Sequence, residues 1–311
     1  MWNKPWNMKE GFLIGGCLIL AGLLLQLIIG PVAWEVFAWP TNGITMAVFL
    51  TIIVSVFLLR KQVYAFRFFS TIQAAIPTLV YAVVLTIIMG LTRQKSLTLG
   101  TSPMGEGSLW FNYMLSFWPF VLIYVLMAFI LGLVVLRQLR SWVAARFSPS
   151  ALPFSLLSHL GLFLAMTTTT LGNADMQRLK MITVKGEPEW RALTSQQQIV
   201  EMPIAIELKE FIMETVDDGS PRRFASDIQI LTKTGKNIQT TVEVNKPVEV
   251  DGWKIYQYGY DTQMGAMSQT SILELVSDPW LPLVYTGIYM MLAGAVCLFA
   301  FGKKTKLIID N

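Results

Sequence analysis

The chain holds one histidine, His159, and it lies inside a long apolar run. An ionisable side chain within a membrane-length run is costly to bury and marks a functional site by default. Neutral imidazole is also a common axial ligand of haem iron. Ser155 and Ser158 stand close by and offer the plainer reading, a histidine hydrogen-bonded within a helix bundle. With a single histidine, no Ser/His/Asp or Cys/His constellation can be assembled. Phosphate-binding glycine loops and carboxylates at metal-ligand spacing are missing from the sequence as well. Cys17 and Cys297 both fall in apolar runs and form no CxxC pair, which excludes a dithiol oxidoreductase. They read as small lipid- or helix-facing side chains.

Two further sets carry polar or aromatic groups. Thr167 to Thr170 end the run that holds His159. Their hydroxyls can bond back to carbonyls one turn earlier, so a packing or helix-exit role suffices. Tyr256, Tyr258 and Tyr260 alternate along a predicted strand and so share one face. Such a stripe can stack on a flat ligand, but more often it belongs to a core.

These residues are positioned by six apolar runs. A helix needs about 20 residues to cross the ~30 Å hydrocarbon layer. The runs extend from about Phe12 to Val32, Ile44 to Leu59, Ile72 to Leu91, Tyr113 to Leu136, Ala151 to Leu171 and Leu281 to Phe301. His159 is then about eight residues into the fifth, about 12 Å from its start. Hydrophobic residues make up 54% of the 311 and charged ones 14%, against about 25% charge in soluble domains. The first run is long and lacks a small-residue cleavage site after it, so no cleavable signal peptide is expected.

Charge assigns the sides. Lys4, Lys9, Arg60, Lys61, Arg67, Arg137, Arg140, Arg146, Lys303, Lys304 and Lys306 occupy the tails and alternate loops, whereas the opposite short loops hold only Arg93 and Lys95. The positive-inside rule places both termini in the cytoplasm of a multi-pass protein of a bacterial cytoplasmic membrane. Trp34, Trp39, Trp110 and Trp280 fall at the ends of runs, where indole prefers the interface. No basic stripe interleaved with aromatics suggests nucleic-acid binding.

Between the fifth and sixth runs the pattern changes to period two. Ile204, Ile206 and Leu208 alternate with polar neighbours, as do Ile228 and Ile230, then Ile238 to Val244 and Trp253 to Tyr260. Turn residues separate them at Asp217–Pro221, Thr234–Asn237 and Asp251–Gly252. About six short strands predict an antiparallel sandwich or partly closed barrel, with Glu189–Gln198 as one short helix. This region, 172–277, carries 11 Lys/Arg against 15 Asp/Glu, while the rest is strongly basic. Cysteine does not occur in it, so it has no disulfide framework. The domains are therefore a membrane region 1–150 with four helices, a fifth helix 151–171, an extracytoplasmic β-rich domain 172–277, and a final helix with basic tail 278–311.

Several segments stand in order along the chain: Ser158-His-Leu-Gly-Leu162, Ile204-Ala-Ile-Glu-Leu-Lys-Glu-Phe211, Pro221-Arg-Arg-Phe-Ala-Ser-Asp-Ile228, Val244-Asn-Lys-Pro-Val248, Gly252-Trp-Lys-Ile-Tyr-Gln257, Tyr260-Asp261 and Asp278-Pro-Trp-Leu-Pro-Leu-Val-Tyr285. The ordered set resembles the ResB family, also called CcsB, of system II cytochrome c biogenesis. The resemblance covers about residues 151–301. It implies a partner, a CcsA-like membrane protein, with which haem b is carried across the bilayer and attached to apocytochrome c. It also implies that His159 is one axial ligand of the haem iron and that this chain is the non-ligating subunit of a haem lyase. The tryptophan-rich WWD segment of CcsA is not found here. Family members commonly have three helices before a larger outer domain, whereas five precede a compact one in this sequence, so 1–150 has no counterpart to carry over. The alternatives are a scaffold subunit that never touches haem, or a small-ligand transporter or sensor. The few charges inside the helices argue against a transporter.

Overall fold

The computed structural model describes residues 4–94, 110–146, 154–215 and 221–301. Lys95, Lys303, Lys304, Lys306, the Asp217–Ser220 turn and the expected helix start at Ala151 lie outside the described residues. Two compact units result: Met1–Ala174 with Trp280–Asn311, and Asp175–Pro279.

Among the described residues, seven α-helices build the first unit: α1 (Met8–Ile29), α2 (Thr41–Leu59), α3 (Tyr64–Phe68), α4 (Ile72–Leu91), α5 (Trp118–Ala144), α6 (Phe154–Gly172) and α7 (Leu281–Phe301). All but the five-residue α3 are long and apolar enough to cross a membrane, so this is a polytopic helical membrane protein. Two runs, α4 and α7, have the expected bounds, while α1 starts four residues earlier than Phe12 because Asn7 caps it. The Asn7 side chain accepts from the Lys9 N–H at 2.8 Å, and Glu10 reaches back to the Asn7 N–H at 2.8 Å.

The larger departure is at α5. The sequence suggests an end at Leu136, with Arg137 and Arg140 in a loop, but the helix continues to Ala144. Leucine, arginine and glutamine are good helix formers. At 27 residues the helix is about 40 Å long and outreaches the hydrocarbon layer, so its arginines sit beyond the apolar span without ending the helix.

Backbone contact fixes α6 against α7. A Cβ added at Gly161 would stand 2.4 Å from the Gly287 carbonyl oxygen, and one at Gly287 would stand 2.6 Å from the Gly161 oxygen. Farther along, Gly294 leaves room for the Ser158 backbone and hydroxyl. Lipid tails are as apolar as leucine, so helices in a bilayer gain from such close packing of small residues. On another side of α6, Phe163 packs with Ile53 and Leu133 in a core shared by α2 and α5.

The second unit is one antiparallel sheet of eight strands in the order β5-β4-β3-β2-β1-β8-β7-β6. The strands are β1 (Gln177–Val184), β2 (Pro188–Leu193), β3 (Ile199–Thr215), β4 (Pro221–Thr232), β5 (Asn237–Glu243), β6 (Val248–Val250), β7 (Trp253–Tyr260) and β8 (Thr270–Ser277). The sheet curls around one apolar core drawn from all eight strands, including Met181, Ile206, Ile228, Val242, Ile255 and Leu273. Ser226 of β4 accordingly bonds Gln257 of β7 and Ser271 of β8, which lie far from it in the strand order. Asp251 and Gly252 both have positive φ, the backbone of a two-residue hairpin turn.

Two expectations are corrected here. Glu189–Gln198 is not a helix: its first half lies in β2, where Ala192 alone is buried. The segment reads as polar because most of its side chains face outward. With β1, β2 and β6, which the sequence pattern does not reveal, the described residues hold eight strands where about six were expected.

Candidate functional site

His159 lies five residues past Phe154, the first described residue of α6, and is half-buried. Its Nδ1 is 3.2 Å from Oε1 of Gln138 on α5. The Gln138 amide nitrogen in turn donates to the Ser155 hydroxyl at 3.0 Å. With the amide nitrogen turned to Ser155, its carbonyl oxygen faces the imidazole and accepts from it. This contact favours the tautomer with the proton on Nδ1. The lone pair then rests on Nε2, which has no hydrogen-bond partner among the described residues. A neutral histidine with one nitrogen donating to a fixed acceptor and the other carrying a lone pair is the usual arrangement of a metal-binding imidazole. The residues present thus fit a single axial ligand to a haem iron, on a ring half-open at the bundle surface. Among the described residues, no three His, Cys, Asp or Glu side chains cluster to hold a metal by themselves.

Positive charge surrounds this end of the helices. Arg137 and Arg140 flank Gln138 along α5. The Arg137 guanidinium donates to the Ser70 carbonyl at 3.0 Å. Arg60, which follows α2, lies over the Phe57 ring, 3.6 Å from its centroid, and within electrostatic reach of both α5 arginines.

The threonines behave as their spacing suggests. Thr167, Thr168 and Thr170 donate to the Phe163, Leu164 and Met166 carbonyls at 2.7, 2.7 and 2.9 Å. Cys17 is exposed and Cys297 half-buried, each as a free thiol.

The tyrosine stripe is corrected. A bulge between Gln257 and Gly259 shifts the β7 register against β8, so the three rings do not share a face. Tyr256 pairs with Glu274, whereas Tyr260 pairs with Ser271, whose side chain is buried. Tyr258 is the extra residue; it is exposed, and the Lys180 ammonium lies 3.7 Å from its ring centroid. Tyr260 stacks between Phe211 and Phe224, with centroids 4.9 and 5.2 Å away. A Gly after an aromatic in a strand is the sequence signal for such a bulge.

Gln138 was not legible as a site residue. It follows Arg137 just past the apolar run, and only a helix that continues through the arginines carries it to His159.

Residues 153–272 match the model of the ResB-like family. A relative named cytochrome c biogenesis protein CcsB, from Prochlorococcus marinus subsp. pastoris (strain CCMP1986 / NIES-2087 / MED4), is 27% identical over 161 residues. That alignment covers 50% of this chain and 35% of the relative, so the chain spans about a third of that protein's length. A solved structure titled cytochrome c heme lyase CcmF aligns over 94% of this chain and 46% of that one, with a TM-score of 0.39 and 12% identity. Over residues 153–272, the stretch that holds His159 and most of the β unit, the chain is similar to the ResB-like family.

Proposed function

We propose that this protein serves cytochrome c biogenesis as a haem-delivery subunit, working with a CcsA-like membrane partner. Its termini lie in the cytoplasm and the Asp175–Pro279 unit lies on the opposite side, as the distribution of Lys and Arg favours. Haem b, when bound, would supply an iron for ligation and a macrocycle that the synthase joins to the cysteines of apocytochrome c. His159 provides one ligand from this chain, and the partner provides the second, since this sequence has no other imidazole. Gln138 and Ser155 hold the ring in the tautomer that leaves Nε2 basic. Arg60, Arg137 and Arg140 supply positive charge at the same end, which suits the carboxylates of a porphyrin. The β unit receives the apocytochrome. Attachment itself falls to the partner.

The observation that carries this reading is the Ser155–Gln138–His159 chain of hydrogen bonds, which leaves Nε2 as a donor atom. The same bonds favour a second reading, a scaffold subunit in which His159 is a satisfied bundle residue. The test is His159→Ala with the partner co-expressed. Loss of haem from the purified complex together with loss of mature cytochrome c supports delivery. Unchanged haem content with normal maturation leaves the scaffold.

A further inference from the structure

Away from His159, a cavity of about 270 Å³ opens where the N-terminal arm meets α3 and the start of α4. Trp6, Tyr64 and Phe68 wall it, and Arg67, Thr71 and Gln73 supply its polar groups. The wall is built. Trp6 stands edge-on to Tyr64 and Phe68, with ring centroids 5.3 and 5.2 Å away, and the Trp6 backbone N–H donates to the Tyr64 hydroxyl at 2.8 Å. Arg67 is exposed, and among the described residues its guanidinium makes no hydrogen bond or ion pair. A second cation, Lys4, stands 4.9 Å from the Tyr64 ring centroid. Among the described residues, no carboxylate lines the cavity.

We propose that this cavity binds a phosphate group, that of an acidic phospholipid at the membrane surface. Three observations converge. An unpaired guanidinium at the mouth of a concave site matches the oxygens of a phosphate, which it can bind through two parallel hydrogen bonds. Tryptophan and tyrosine beside basic residues, at the end of the apolar spans, sit at headgroup depth. The volume is below the about 300–1,000 Å³ of pockets that enclose a whole drug-sized ligand, so it takes a headgroup while the acyl chains remain outside. Acidic lipids are drawn to basic segments at this face.

The test is the thermal stability of the purified full chain in detergent, with phosphatidylglycerol, phosphatidylcholine or inorganic phosphate added. A ligand that binds only the folded state raises the melting temperature. Phosphatidylglycerol raises it by a few degrees and phosphatidylcholine by less. Arg67→Gln loses most of the rise, Arg67→Lys keeps part of it, and Lys61→Gln, on an exposed residue outside the cavity, keeps all of it. If inorganic phosphate gives the same Arg67-dependent rise, the phosphate site stands and its occupant is the free ion. No rise, or one that survives Arg67→Gln undiminished, overturns the proposal.

Discussion

Nδ1 of His159 and Oε1 of Gln138 lie 3.2 Å apart and join α6 to the arginine-bearing end of α5. The bond sets which imidazole nitrogen keeps its lone pair. Loss of such an orienting partner typically costs 10–100-fold in metal affinity or activity. Gln138→Leu should therefore lower the haem retained per complex while leaving His159 in place. Gln138→Glu, which keeps an acceptor, should retain more. The measurement is haem-to-protein ratio after purification with the partner; equal ratios in Gln138→Leu and wild type would remove the orienting role.

The α6–α7 contact predicts a stability effect at two glycines. Gly161→Ala and Gly287→Ala force a Cβ to within 2.4 and 2.6 Å of a facing carbonyl oxygen. Overpacking of this kind costs about 1–3 kcal/mol, read as a lower melting temperature in detergent. Gly90→Ala is the control, because nothing lies within 4 Å of its added Cβ; it should melt no lower than wild type.

In the β unit, Gln257 Oε1 accepts from Ser226 at 2.6 Å and Ser271 at 3.0 Å, and its amide nitrogen donates to the Gly259 carbonyl at 2.8 Å. All three side chains are buried. Gln257→Leu leaves Ser226 and Ser271 bonded to each other but strands one hydroxyl proton and the Gly259 carbonyl, and each buried unmatched polar group costs about 1–3 kcal/mol. Gln229→Ala, which breaks one exposed bond to Asn237, should change stability by no more than about 0.5 kcal/mol. Circular dichroism melts monitored at the β signal distinguish the two.

Acid should weaken the same unit through Glu189. Hydrogen bonds from the Arg191 side chain, then from the Arg191 and Trp190 backbone, outweigh burial and hold its carboxyl at about 2 instead of 4.5. The folded value is the lower one, so the contribution is full above about pH 4.5 and disappears as pH falls toward 2. Arg191 is 56% exposed, so solvent screening keeps the contribution of the pair small. Glu189→Gln should flatten the fall in melting temperature between pH 4.5 and 2; an unchanged slope would contradict the assignment.

The membrane spans and the alternating strands were legible because burial imposes a period: long apolar runs for α1, α2, α4, α6 and α7, and period two for β3, β4, β5 and β7. His159 was legible because its cost within such a run is visible from composition. What escaped depends on the third dimension. Gln138 becomes a site residue only because α5 continues past Leu136, where hydropathy falls but helix propensity does not. Tyr258 and Tyr260 part ways because one bulge changes the register, and alternation in sequence assumes an unbroken ladder. Strand β2 hides because its neighbours bury only Ala192, leaving too few apolar positions to reveal a period.

The most direct test of the central claim uses His159→Gly in the complex with the CcsA-like partner, purified with and without added imidazole. If His159 is an axial ligand, the haem absorption spectrum is lost in His159→Gly and returns when free imidazole takes the vacated place. A His159→Gly complex with the wild-type haem spectrum and no response to imidazole would contradict the account.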